Sequence, residues 1–174
     1  MHQLRIAALI CIVTFATGLG MGFAPAVADV SAFSDRDHDA RPGLDIKRVR
    51  IENGQRILVA VNFRNLRPSS SDGLGVYFDT RGPDRGPEYV AGGGLGAVRD
   101  WAAVRIENWK GRGHLLLRCS IDMRVNYRLE RATFDIARSC FNRPGRIRVS
   151  AKAIGNGEHD WAPKRHRFYD WVRR

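Results

Sequence analysis

Hydrophobic and polar residues alternate with a period of two along most of the chain after residue 45, and no window shows a convincing helical period of 3.6. Alternation of this kind is typical of half-buried β-strands. It predicts strands over residues 46–51, 56–63, 74–79, 102–107, 114–121, 124–129, 132–137 and 146–154. The dipeptide Asn53-Gly54 separates the first two, and because Asn-Gly accepts two positive φ angles with little strain, it predicts a tight hairpin.

Seven to nine short strands separated by Gly and Pro predict an all-β fold, an antiparallel β-sandwich of jelly-roll type. The alternation also separates the two faces of each strand. In residues 146–154 it assigns four small or apolar residues to the core, namely Ile147, Val149, Ala151 and Ala153. It assigns the opposite face to solvent, with Arg146, Arg148, Ser150 and Lys152. In residues 114–121 it predicts one inward face with Leu115, Leu117, Cys119 and Ile121.

The start of the chain has the three parts of an export signal in order. Arg5 precedes an apolar run over residues 6–19, and small residues follow at Ala26 and Ala28. We therefore predict a cleaved signal peptide at residues 1–28, a secreted, extracellular protein and no membrane span after cleavage. An acidic extended leader is expected at 29–44 and the β-sandwich domain at 45–174.

Cleavage would remove Cys11 and leave Cys119 and Cys140 as the remaining thiols. Oxidising surroundings favour pairing them, so we predict one disulfide. A reactive or metal-binding thiol pair is the alternative, but neither cysteine has a second Cys or a His at ligand spacing.

Basic residues exceed acidic ones, 29 Lys plus Arg against 18 Asp plus Glu. Removal of residues 1–28 takes Arg5 and no acid, which leaves a net charge of +10. Arginine's planar fork suits carboxylate, phosphate or sulfate, so Arg146, Arg148 and Lys152 are candidate contacts for an anionic polymer. The alternative is that they are the solvated side of an alternating strand.

Tryptophan offers a second kind of binding surface, because an exposed ring can stack on the apolar face of a sugar. Trp109 and Trp161 are the preferred candidates, since Lys110-Gly111 and His159-Asp160 beside them have loop-like composition. Burial in the core is the more ordinary role for this residue.

The acidic run near residue 35 could hold a metal ion. Asp35, Asp37 and Asp39 place alternate carboxylates on a loop, and Ca²⁺ takes six to eight oxygen ligands. The run lacks the Gly and the distal Glu of an EF-hand, and Arg36 and Arg41 compete for the same carboxylates. No cofactor is expected otherwise, and a solvated acidic segment is the alternative to a calcium site.

Two short motifs resemble a known group of proteins. Residues 39–46 read Asp-x-x-x-Gly-Leu-Asp-Ile, and the chain ends with Asp160-Trp161-Ala162-Pro163 followed by Phe168, Asp170, Trp171 and Val172. Both resemble uncharacterised small secreted β-sandwich proteins of high-GC Gram-positive bacteria. The chain is also weakly similar to family-9 carbohydrate-binding modules and DOMON-like sandwiches, which implies ligand binding rather than catalysis. No haem or sugar ligand of that group maps onto a residue here.

Motifs for catalysis are missing from the sequence. It contains no G-x-S-x-G, H-E-x-x-H or Walker pattern, and residues 92–96, rich in Gly, are expected to form a turn or mobile loop. His159-Asp160 with one of Ser69, Ser70 or Ser71 is a triad by composition only.

We therefore predict a secreted, non-catalytic binding protein whose partner is a cell-wall glycan or anionic envelope polymer, with no specific nucleic-acid contact. The alternatives are a small secreted hydrolase, or a structural or inhibitory protein with a protein partner.

Overall fold

The computed structural model describes residues 29–36, 38–68, 72–82, 86–97, 100–110 and 112–174. Within these ranges the chain forms β-strands and two short 3₁₀ turns, at Asn108–Lys110 and Arg138–Phe141. The strands are β1 (Asp29–Ser34), β2 (Ile46–Asn53), β3 (Arg56–Phe63), β4 (Gly73–Asp79), β5 (Tyr89–Gly94), β6 (Trp101–Glu107), β7 (Arg112–Leu116), β8 (Ile121–Asn126), β9 (Arg131–Ala137), β10 (Arg146–Gly155), β11 (Glu158–Ala162) and β12 (Val172–Arg173). No helix in the described part of the chain is long and apolar enough to cross a membrane. The predicted signal peptide lies outside the described residues.

Two antiparallel sheets contain these strands. The first has the order β1-β2-β3-β9-β8, and the second has the order β11-β10-β4-β5-β6-β7, with β12 also pairing with β10. The chain passes from one sheet to the other after β3, after β7 and after β9. The prediction of an all-β, antiparallel sandwich is confirmed.

The core lies between the inner faces of the two sheets. Alternate residues of β3 are buried, and so are the four residues that the alternation of β10 assigns to the core. The outer side of β10 differs from the prediction at Ser150, which is fully buried. The outer face of the second sheet is therefore partly covered.

The hairpin between β2 and β3 is confirmed, but its turn differs from the one predicted. Asn53 still belongs to β2, and neither Asn53 nor Gly54 has a positive φ. The reason is that the Asn53 side chain is buried and bonded: its Nδ2 donates to the Val172 carbonyl at 3.1 Å, and its Oδ1 accepts from Arg138. The turn is formed instead by Gly54 and Gln55.

The acidic segment at 29–44 is part of the sandwich. β1 pairs with β2 from Asp29, opposite Asn53, to Ser34, opposite Arg48. Phe33 packs against the core and stacks on Tyr169 with 4.6 Å between ring centroids. The strand carries a single large inward side chain, which explains why the hydrophobic pattern does not reveal it.

The single strand predicted at 114–121 is wrong, because the chain changes sheets within it. β7 ends at Leu116 in the second sheet and β8 begins at Ile121 in the first. Leu115 is 62% exposed rather than buried, since β7 is the edge strand of its sheet. Leu117, Cys119 and Ile121 do pack against the core, as partly buried residues.

The Cys119–Cys140 disulfide is confirmed, with a Cα–Cα distance of 5.6 Å. It links the segment that crosses between the sheets to the 3₁₀ turn after β9. Cys140 is 7% exposed, so the bond lies at the margin of the core.

Candidate functional site

The five candidate ligand contacts converge on one surface. Arg146, Arg148 and Lys152 project outward from β10, and Trp161 lies on β11 directly opposite Lys152. Trp109, on the 3₁₀ turn after β6, lies 5.9 Å from Trp161 between ring centroids. We call this outer surface of the second sheet, with these five residues, the cation–aromatic face.

The segment after β11 turns back over this face and covers part of it. Trp109 stacks on His166 at 5.0 Å and lies 4.8 Å from Phe168. Tyr77, on β4, stacks on Trp161 at 5.5 Å and lies 5.6 Å from Trp109. Trp109 and Trp161 are therefore half-buried against other rings, and not open platforms on loops.

Each cation of the face lies over an aromatic ring. The Arg146 guanidinium lies 4.3 Å from the centroid of Trp171, and the Lys152 ammonium lies 5.3 Å from that of Trp161. Arg148 lies over Trp171 as well, but its charge is paired with Asp79 at 2.6 Å, and Asp79 is 1% exposed. Arg148 thus has a structural partner, while Arg146 and Lys152 remain the cations that a ligand can reach.

Basic residues at 164–167 extend the positive charge of the face. Lys164, Arg165 and Arg167 are exposed, and no carboxylate of the described residues forms an ion pair with them. Burial lowers the pKa of His166, and the neighbouring charges of Arg165 and Lys152 lower it further. The electrostatic character of this region is therefore strongly cationic.

A glycine floor lies beside the cation–aromatic face. Gly73 pairs with Gly94 and Gly75 pairs with Gly92 across β4 and β5, so four neighbouring outward positions carry no side chain. The expectation of a turn or mobile loop at 92–96 is wrong for residues 92–94, which belong to β5, whereas the chain bends at 95–96. The Lys152 backbone pairs with Gly75, which places the floor next to the cations.

An open groove of about 600 Å³ begins on this floor. The residues that line it include Trp101, which is 40% exposed, Ile154, which is 48% exposed, Asp72 and Asp100. The Trp101 ring is held by a hydrogen bond from its Nε1 to the Ile121 carbonyl at 3.2 Å. Sequence reasoning missed Trp101 because nothing in its neighbours distinguishes it from the other tryptophans.

An arginine pocket of about 350 Å³ lies beside the β2–β3 turn. Four guanidinium side chains line it, from Arg56, Arg138, Arg143 and Arg174. Arg138 is 8% exposed and donates to neutral acceptors, including the Gly54 carbonyl at 3.2 Å. Burial and the charge of Arg174 lower the Arg138 pKa. Three separate segments supply these four arginines, namely β3, the connection from β9 to β10, and the residue after β12, so no sequence motif predicts the pocket.

An acidic cluster joins the β1–β2 connection to β11. Carboxylate oxygens of Asp35, Asp39 and Asp160 lie within 4.8 Å of one another. Asp37, the third calcium candidate, lies outside the described residues. The third carboxylate beside Asp35 and Asp39 comes instead from Asp160 on β11. Asp160 reaches this position because β11 packs beside the start of β2, where the Ile46 N–H donates to Asp160 Oδ2 at 2.7 Å.

Burial and mutual repulsion act on these carboxylates. Burial raises the pKa of Asp35 to about 7, with further contributions from the charges of Asp160, Asp39 and Asp45. Burial also raises the pKa of Asp160, against the lowering effect of its hydrogen bond from Ile46. Ionising all of them together is therefore costly unless a positive charge is present.

The arrangement of His159 and Asp160 gives no support to the catalytic triad of the hydrolase alternative. His159 is exposed, whereas Asp160 points into the acidic cluster and accepts from Ile46. Ser69, Ser70 and Ser71 lie outside the described residues.

The chain matches no family model, and no curated protein is significantly similar to it. The resemblance to secreted sandwich proteins and carbohydrate-binding modules stays a prediction.

Proposed function

We propose that the protein is a secreted, non-catalytic binding protein whose cation–aromatic face binds an anionic polysaccharide. The observation that carries the proposal is that Arg146, Lys152, Trp109 and Trp161 meet on one surface although they come from separate parts of the chain. Cations held over rings can contact acidic groups while the rings provide apolar contact with a sugar.

The glycine floor supports a polymer rather than a small ligand. Flat backbone at Gly73, Gly75, Gly92 and Gly94 leaves space for an extended chain to lie across the sheet. The cations at its side would contact the charged groups of that chain.

The test is retention of the purified protein on immobilised dextran sulfate, polygalacturonate and uncharged dextran at low and high salt. We expect binding to the two anionic polymers at low salt and release at high salt, because exposed charges are screened over about 8 Å at 0.15 M. Uncharged dextran should bind weakly.

A matched pair of variants separates the face from net charge. Lys152→Ala removes a cation of the face, and Lys47→Ala removes an exposed cation of the first sheet. Weaker retention of Lys152→Ala alone supports the proposal. Equal retention of both variants, or no binding of the unmodified protein to either anionic polymer, would overturn it. Salt-resistant binding to uncharged dextran would refute the ionic contribution and assign recognition to the rings.

A further inference from the structure

Buried oxygen atoms without a hydrogen-bond partner lie in and beside the acidic cluster. They are Asp35 Oδ2, Asp45 Oδ1 and the Tyr169 hydroxyl. Asp45 is fully buried and Tyr169 is 8% exposed. A buried polar atom without a partner costs roughly 1–3 kcal/mol, so several in one region call for a physical explanation.

These atoms belong to the same place as the three clustered carboxylates. Asp45 precedes Ile46, whose N–H donates to Asp160, and Asp45 Oδ2 accepts from the N–H of His38, which lies between Asp35 and Asp39 in the chain. Tyr169 stacks on Phe33, two residues before Asp35, and the charges of Asp35 and Asp160 both act on its hydroxyl. Tyr169 is thus an unpartnered polar side chain, more than nine-tenths buried, that faces the cluster.

Positive charge from the protein does not balance the cluster. The Arg64 guanidinium pairs with Asp45 at 2.5 Å, through the oxygen Oδ2 that also accepts from the His38 N–H. No ion pair with a basic side chain joins Asp35, Asp39 or Asp160 among the described residues. Three carboxylates within 4.8 Å of one another therefore have no ion-pair partner in the part of the chain that the structure describes.

We propose that Asp35, Asp39 and Asp160 form a calcium site, bordered by Asp45 and Tyr169, that joins the edges of the two sheets. Asp35 and Asp39 lie in the β1–β2 connection of the first sheet, and Asp160 lies on β11, the edge strand of the second. A bound cation would neutralise the carboxylates and give the orphaned oxygens an electrostatic partner.

The chemistry of the donors favours Ca²⁺ over Mg²⁺. Ca²⁺ accepts six to eight oxygen ligands at flexible distances, including several carboxylates. Mg²⁺ requires near-octahedral geometry and gives up its water reluctantly, so a half-buried group of carboxylates on two different strands suits it poorly.

The test is calorimetric titration of the chelator-treated, dialysed protein with CaCl₂ and separately with MgCl₂, with the melting temperature measured in parallel. We expect one Ca²⁺ per chain, a higher melting temperature with Ca²⁺, and a weaker response to Mg²⁺. No heat and no change in melting temperature with Ca²⁺ would overturn the proposal.

Variants locate the site. Asp39→Asn changes an exposed ligand and should leave folding intact, and Asp160→Asn keeps an oxygen for the Ile46 N–H. Each should weaken Ca²⁺ binding by about tenfold or more, since even a group that only supports a metal ligand costs about 10- to 100-fold when mutated. If Asp160→Asn does not fold, Asp39→Asn decides.

The matched control is Asp170→Asn, which removes an exposed carboxylate next to Tyr169 in the chain and outside the cluster. Its Ca²⁺ affinity should equal that of the unmodified protein. A loss as large as that of Asp39→Asn would show non-specific attraction to surface charge, and unchanged affinity in Asp39→Asn would show that the cluster is not the site.

Discussion

Gly155, the last residue of β10, provides a sharp test of how the buried ion pair near the acidic cluster is held. A Cβ added at this position would lie 1.7 Å from Asp72 Oδ1 and 2.8 Å from Arg41 Nη2. Those two atoms form an ion pair at 2.5 Å, and Asp72 is 2% exposed. Gly155→Ala therefore cannot be accommodated unless the Asp72 carboxylate moves away from Arg41.

The cost follows from two effects. Overpacking of a buried position costs about 1–3 kcal/mol, and separating the partners of a buried ion pair costs about 3–5 kcal/mol. The cost of separating this ion pair is smaller than that of a fully buried pair, because the Arg41 side chain is 30% exposed and water can solvate it after separation. We expect a loss of about 2–4 kcal/mol in the free energy of unfolding, or roughly 5–15 °C in melting temperature.

Urea unfolding followed by tryptophan fluorescence measures this loss, with calorimetry for the melting temperature. Gly145→Ala is the matched control, because a Cβ there meets no atom within 4 Å and the residue has no positive φ. It should be neutral or more stable by less than about 1 kcal/mol. Equal stability of the two variants would refute the assignment of Asp72 and Arg41 as a tightly packed pair.

Two further predictions concern the disulfide and the pH dependence of binding. Cys119→Ser should lower the free energy of unfolding by about 3 kcal/mol, which is the entropic effect of closing a loop of this size. Denaturant titration should give the same stability for the variant and for the unmodified protein in reductant. An unchanged stability of the variant under oxidising conditions would contradict the stabilising role of the bond. Because its surroundings lower the pKa of His166, the ring gains its charge only at a pH below the usual histidine range, and retention on dextran sulfate should rise as the pH falls through that region. His166→Gln should abolish that rise, and a rise of equal size in the variant would show that other groups cause it.

Local periodicity predicted the parts of the fold that depend on it alone. In β10 the alternation identified Ile147, Val149, Ala151 and Ala153 as buried, and it did so because polar residues precede each of them. It failed at β5, where Gly92, Gly93 and Gly94 have no side chains to form a pattern. It also failed at Leu115, which is exposed because β7 is the edge strand of the second sheet.

The candidate site was predictable as a set of residues and not as an arrangement. Arg146 and Lys152 were recognisable from their alternation, but Asp79, which neutralises Arg148, is 69 residues away in the chain. The partial covering of the face by Phe168 and His166 depends on how the segment after β11 turns back, and no periodic pattern records that path.

Three buried ion pairs neutralise arginines that would otherwise be available to attract an anionic ligand. Asp45 pairs with Arg64, Asp72 with Arg41 and Asp79 with Arg148, and all three carboxylates are at most 2% exposed on their side chains. Buried carboxylates thus each hold one arginine in a structural role, so these three arginines contribute little to ligand attraction.

The cation–aromatic face and the arginine pocket adjoin where Arg174 donates its N–H to the Gly145 carbonyl, one residue before Arg146. The acidic cluster lies at the opposite end of β2, near Ile46. Asp160 and Trp161 are consecutive in β11 and therefore point to opposite sides of the strand, one to the cluster and one to the face. A cation that orders Asp160 would also fix the strand that carries Trp161, so the proposed calcium site and the proposed binding face share one structural element.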